Sequence, residues 1–140
     1  MSTRPQVSIA VVGLGRMVCL KAAFHGFDRL NSKKGKRHVF TLLQRTPDAK
    51  VVAVCTTDPT ELAWAKSNPE YTSRGIQVFD DYQKMISMPG LQAVWVSTST
   101  DVHASQTIAA VEKDLHVLCE KPLSTDLDEV SCARPIFCSC

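Results

Sequence analysis

The chain has 140 residues, 44% hydrophobic and 21% charged, with 16 Lys and Arg against 14 Asp and Glu. That is one domain's length and ordinary globular composition, and no apolar run approaches the roughly 20 residues that cross a bilayer. A net charge of +2 is too small to argue for a polyanionic partner, and it is local. Residues 18–34 carry Lys21, Arg29, Lys33 and Lys34 against Asp28, which leaves the rest of the chain slightly acidic.

The first residues lead straight into a strand-like run, so no secretory signal is expected. Six cysteines occur, at 19, 55, 119, 132, 138 and 140, without a CxxC pair. Cys138 and Cys140 are too close for the usual zinc spacing. The reading is a reducing, cytoplasmic compartment with no disulfide and no metal site.

In chain order, Val7 to Val12 is a β-branched run that ends at Gly13. Continuous apolar strands of this kind suit a parallel sheet covered on both faces. Val51 to Cys55 is a second such run, and Pro59 then opens a helix through Leu62, Ala63 and Ala65. Ile76 to Phe79 reads as a weaker strand, with Asp80 or Asp81 capping the short helix after it. Ala93 to Val96 is the fourth strand. Ala104, Ile108, Val111 and Leu115 then share one helical face, with Thr100 or Asp101 as the cap. His116 to Cys119 is the fifth strand, followed by Glu120-Lys121-Pro122. This alternation predicts an α/β fold, a doubly wound parallel sheet of Rossmann type. Such a sheet binds its ligand at the carboxyl ends of its strands, where every unusual motif of this chain falls.

Gly13-Leu14-Gly15-Arg16-Met17 closes the first strand. The first glycine permits a tight turn, and the second lets backbone approach a pyrophosphate at a helix N-terminus. The expected third glycine is missing, because position 18 is Val. The residue that grips the ribose is expected about 20 residues on, yet Thr56-Thr57-Asp58 at the end of strand two lies 43 residues past Gly13 at Thr56. Omitting residues 18–34 repairs both faults: Gly35 becomes the third glycine, and the spacing from Gly13 to Thr56 falls to 26. Residues 18–34 therefore read as an insertion of the kind a retained intron would leave. Its 17 residues keep the frame. Val18-Cys19 can be encoded by a splice-donor-like GTATGT, and Val130-Ser131 by GTAAGT, where the pattern of the chain ends. The alternative is a native extension of the first helix through Leu20, Ala23, Phe24 and Phe27, with a later helix through Val39, Leu42 and Leu43. The domain is read as residues 1–129 and the remainder, 130–140, as an irregular tail.

With Gly13-Leu14-Gly15-Arg16-Met17, Val96-Ser97-Thr98-Ser99-Thr100-Asp101-Val102-His103 and Lys113 to Pro122, the chain resembles the Gfo/Idh/MocA oxidoreductases over about residues 7–17 and 35–129. The resemblance implies a Rossmann domain that holds NAD or NADP, normally followed by a substrate domain that these 140 residues lack. It implies oxidation or reduction of a sugar or polyol hydroxyl. Carried over, Gly13, Gly15, Arg16, Met17 and Gly35 surround the pyrophosphate. Thr56, Thr57 and Asp58 surround the adenosine ribose. Ser97, Thr98, His103, Glu120, Lys121 and Pro122 fall on the nicotinamide side. Lys121 is the catalytic candidate, facing the substrate hydroxyl across a Lys-Pro bond that is cis in many relatives. A free lysine titrates near about 10.4, so it acts as a base at neutral pH only when desolvated or placed beside another cation. Thr56 departs from the family pattern: NAD-preferring members often have an acidic residue there, and a hydroxyl admits NADP.

These readings make the isolated chain a nucleotide-binding domain with negligible turnover and a tendency to self-associate through its uncovered edge. A non-catalytic dinucleotide-binding module and a misprocessed fragment are the alternatives. Neither a membrane nor nucleic acid is expected as a partner, despite the basic run from Ser32 to His38. His38 and His116 are expected to be structural or solvated, and Trp95 to lie in the core.

Overall fold

The computed structural model describes residues 5–15, 34–126 and 128. In chain order its elements are β1 (Val7–Val12), α1 (Lys34–Arg45), β2 (Ala49–Cys55), α2 (Pro59–Ser67), α3 (Pro69–Ser73), β3 (Gln77–Phe79), α4 (Tyr82–Ile86), β4 (Ala93–Val96), α5 (Thr100–Val111) and β5 (His116–Cys119). Among the described residues the strands form one sheet in the order β3-β2-β1-β4-β5, and every pairing is parallel. The expected α/β fold is present. The chain winds outward from β1 to β3 and then returns to place β4 on the other side of β1. That reversal opens a crevice between the carboxyl ends of β1 and β4, the switch point where such sheets receive ligands.

Both faces of the sheet are covered, which explains the unbroken apolar strands. Ala10, Val12, Ala53, Cys55, Val94 and Val96 pack with Met85, Ala110 and Leu115 on one face. Ile9, Val11, Val51 and Val54 pack with Val39, Leu42, Ala65 and Tyr71 on the other. A fully buried Val or Leu contributes about 1.5–3 kcal/mol by leaving water. These layers hold the strand ends, and hence the crevice, in place.

Several boundaries differ from the sequence reading. β2 starts at Ala49, two residues early, and the β1–β2 register shifts between Ile9 and Ala10. α3 was not anticipated: Asn68 accepts from the Glu70 N–H at 3.0 Å and Pro69 occupies the first turn, a restart that an Asn-Pro pair encodes. Asp81 caps α4, as expected, accepting from Gln83 and Lys84. α5 begins one residue earlier than its predicted caps, on Ser99. It ends at Val111, so Leu115 lies beyond it. Asp114 adopts a left-handed φ of 57°, and Leu115 turns back to donate its N–H to Ala110. The buried stripe of α5 is His103, Ala104, Thr107 and Ala110. The predicted stripe was offset because two of the buried residues are polar. The segment 18–34, read above as an insertion or a native extension, and the tail lie outside the described residues except at Lys34.

Candidate functional site

The crevice is built on Gly13, which ends β1 with a φ of +86°. Its N–H donates to Cys55 at 2.9 Å. A Cβ on Gly13 would stand 2.6 Å from the Ser97 carbonyl oxygen. Both the conformation and the close approach require glycine. Ser97, buried, directs its hydroxyl at the Val12 and Gly13 carbonyls, 3.0 and 2.8 Å away. The β4 end is thereby locked to the β1 turn.

Gly35, the second residue of α1, lies against this turn from the helix side. A Cβ there would overlap the Gly13 carbonyl oxygen and stand 2.7 Å from its carbonyl carbon and 2.9 Å from the Leu14 Cα. Close helix–strand packing of this kind is what the third glycine of a dinucleotide fingerprint serves. Arg16 and Met17 lie outside the described residues.

Gly13, Gly15, Thr56, Asp58, Ser97 and Thr98 all line one open cleft of about 560 Å³. Thr57 joins them at its rim and is exposed. Two other concavities, touched by Lys50 and Arg74, lie at the amino ends of the strands, the end such sheets do not use.

Asp58 is the N-cap of α2, and its Oδ1 accepts the Glu61 N–H at 2.9 Å. Thr56, 5% exposed, accepts the Asp58 N–H at 3.3 Å and donates to Glu61 Oε2 at 2.9 Å. Glu61, which the sequence reading missed, therefore reaches into the cleft. Nothing in the sequence marks it beyond an acidic residue in a first helical turn, where the dipole alone accounts for one. Thr98 is engaged with a second unanticipated residue, donating to Gln106 Oε1 at 2.6 Å.

On the nicotinamide side the structure places His103 and Glu120 in contacts with other parts of the chain. His103 is fully buried, with Nδ1 2.8 Å from the Pro122 carbonyl oxygen and Nε2 3.0 Å from that of Thr98. It lies beneath the loops and touches both of them. The loop after β5 folds over this first turn of α5. Glu120 faces α1. Its carboxylate sits 3.1 Å from His38 Nε2, and the His38 ring stacks on Trp95 with centroids 4.2 Å apart. His38 is thus structural, and Trp95 is half-buried beneath it. Lys121 is exposed beside these anchors, and the Lys121-Pro122 peptide is cis, as the resemblance implied.

Burial pushes the Cys55 thiol up to about 12, with Asp81 and Asp80 adding to the effect, so this cleft-lining sulfur stays protonated and inert at neutral pH. Cys119 moves in the same direction, chiefly by burial. Among the described residues no three His, Cys, Asp or Glu side chains converge as a metal site would require. No helix there is long and apolar enough to cross a membrane.

Residues 7–133 match the family described as an oxidoreductase family with an NAD-binding Rossmann fold. The chain is 31% identical over 131 residues to scyllo-inositol 2-dehydrogenase (NAD(+)) of Bacillus subtilis, covering 91% of this chain and 31% of that protein. It is 30% identical over 120 residues to inositol 2-dehydrogenase of Pseudarthrobacter chlorophenolicus, covering 86% and 29%. Among solved structures, myo-inositol 2-dehydrogenase from Lactobacillus plantarum superposes with a TM-score of 0.74 at 29% identity, covering 96% of this chain and 33% of that one. Scyllo-inositol dehydrogenase from Lactobacillus casei, solved with NAD(H) and scyllo-inositol, gives 0.73 at 25% identity, covering 95% and 33%. The chain spans about a third of the length of these relatives.

Proposed function

We propose, since this chain belongs to the Gfo/Idh/MocA oxidoreductase family and is its NAD-binding Rossmann domain, that it serves an enzyme acting on a sugar or polyol hydroxyl. The observation that carries the assignment of residues is the fit of Gly35 against the Gly13 turn. It supports Gly13, Gly15 and Gly35 as the pyrophosphate cradle, since a side chain at Gly13 or Gly35 would strike backbone. Thr56 and its neighbours fall to the adenosine ribose, and Ser97 and Thr98 to the nicotinamide side. When bound, the dinucleotide supplies a hydride acceptor or donor.

The chain's own contribution beyond binding is Lys121. A hydroxyl that loses hydride must also lose its proton, and an exposed amine next to the cleft suits polarising that oxygen. His103 and Glu120 act beneath Lys121 as positioning residues. Inositol and related polyols are the substrate class favoured by the names of the relatives. That the chain spans about a third of those proteins supports a substrate site outside these 140 residues and negligible turnover by the chain alone. Leu118, 53% exposed on the edge strand β5, supports packing of that edge against further protein. A reducing, cytoplasmic setting is part of this reading, in keeping with the free thiols of Cys55 and Cys119.

The test is a titration of the purified chain with NADH, following energy transfer from Trp64 and Trp95. Saturable binding is expected, and it is expected to survive deletion of residues 18–34, which joins Met17 to Gly35. Absence of binding in both forms would overturn the proposal. Loss confined to the deleted form would overturn the insertion alone.

A further inference from the structure

We propose that Glu61 reads the adenosine ribose and makes this domain select NAD over its 2′-phosphorylated counterpart. The inference rests on the dinucleotide reading of the cleft and adds a specificity-determining residue to it. The end of β2, where an acidic residue would accept the ribose hydroxyls, carries Thr56 instead. A threonine there has no charge with which to repel a 2′-phosphate. Asp58 is committed to the helix, since its Oδ1 caps the Glu61 N–H.

The charge comes from the next turn. Asp58 and Glu61 have the spacing of a capping box, in which the glutamate normally accepts the N–H of the cap residue. Here that N–H goes to Thr56 Oγ1 at 3.3 Å, and the carboxylate of Glu61 is released from the task. Thr56 then donates its hydroxyl to Glu61 Oε2 at 2.9 Å. The other oxygen, Oε1, is 2.8 Å from the place a Cβ on Gly15 would occupy. The carboxylate therefore bridges the end of β2 and the second glycine of the loop. The fingerprint's acidic group acts in that same gap, against the ribose. Thr56 and Glu61 together do by two residues what one aspartate does at the strand end. Among the described residues lining the cleft there is no lysine or arginine to neutralise a 2′-phosphate. A 2′-phosphate beside the Glu61 carboxylate would meet a like charge and be repelled.

The 140-residue chain, its Glu61→Gln variant and its Thr56→Val variant are each titrated with NADH and NADPH, with circular dichroism as the check on folding. The chain itself is expected to bind NADH at least about tenfold more tightly than NADPH. Glu61→Gln keeps the shape and removes the charge, so the two affinities should come within about threefold, mainly through a gain for NADPH. Thr56→Val frees the carboxylate from its anchor and should give an intermediate ratio. It also supplies the answer if Glu61→Gln does not fold. Equal affinities or an NADPH preference in the unaltered chain would overturn the proposal. So would a ratio unchanged in the folded variants, while leaving the dinucleotide site itself standing. Failure to bind either dinucleotide would overturn the site and this inference together.

Discussion

Replacing Gly35 with alanine tests the architecture of the cradle through the sign of the effect. At an ordinary helix position the change stabilises by roughly 0.5–1 kcal/mol, because alanine loses less conformational freedom. At Gly35 the added methyl would meet the Gly13 carbonyl oxygen, its carbonyl carbon and the Leu14 Cα. All three belong to backbone, so no side chain can swing aside. The Gly13 turn is also braced from behind by Cys55 and Ser97. The helix must therefore lift, which loosens Val39 and Leu42 against the sheet. Overpacking of this severity costs typically about 1–3 kcal/mol. At the upper end of that range, less the helix gain, the net loss is about 2 kcal/mol. For a domain of this length that lowers Tm by about 6 °C. The assay is urea unfolding followed by far-UV circular dichroism, paired with NADH titration. Arg37→Ala, an exposed position on the same helix, serves as the control and should be neutral. If Gly35→Ala matched or exceeded the parent in stability and bound NADH equally well, Gly35 would not be the third glycine.

Three further outcomes are expected. Ser97→Ala removes the hydroxyl that holds the Val12 and Gly13 carbonyls, so it should cost about 1 kcal/mol and weaken NADH binding several-fold in the same titration. His103→Phe keeps the bulk but leaves the Pro122 and Thr98 carbonyls without their shared partner. A loss of about 2 kcal/mol is expected, with faster amide hydrogen exchange at residues 119–124. Exchange unchanged there would separate His103 from any hold on the Lys121 loop. Finally, the buried Cys55 keeps its proton up to about 12 in the folded chain, whereas an unfolded thiol loses it near about 8.5. The sign follows directly: the folded form binds the extra proton, so stability is full below about pH 8.5 and falls as pH rises towards 12, by up to about 1.4 kcal/mol per pH unit. Cys55→Ala should make that decline shallower between pH 9 and 10, where the raised Cys119 still contributes and the raised Tyr71 and Tyr82 begin to. Parallel curves for the two proteins would refute it.

What could be read from sequence was whatever depends on local pattern. The five strands followed from continuous apolar runs, and the switch-point crevice followed from their alternation with helices. Asp81 as a cap and the glycine turn at Gly13 belong to the same class, since each needs only its neighbours. His103 and Glu120 were legible as site residues only through the family resemblance. Which way they face depends on the loop after β5 crossing α5, and on His38 from a distant helix. Glu61 was invisible for a similar reason. Its role depends on Asp58 giving its N–H to Thr56 instead, a choice among hydrogen bonds that no spacing expresses. Asn68-Pro69 is a legible restart signal, but α2 and α3 run on with a break of one residue, so the apolar pattern alone does not separate them.

The fingerprint in this chain is better understood as a set of places than as a string. Gly13 needs a left-handed turn and room beside Ser97, and Gly15 sits under the Glu61 carboxylate. The third place needs only a residue without a side chain where the first turn of a helix presses on Gly13. None of these requirements refers to the number of residues between them. A chain can therefore leave the cradle after its second glycine and return seventeen residues late with Gly35, and still meet each steric condition. The same reasoning applies to the ribose acid, whose charge is displaced by five positions from Thr56 to Glu61 and brought back by one hydrogen bond. Both departures from the linear motif are repaired in space by backbone contact or capping geometry. Substitutions that disturb those repairs should therefore affect the domain more than changes in the length of the intervening segment.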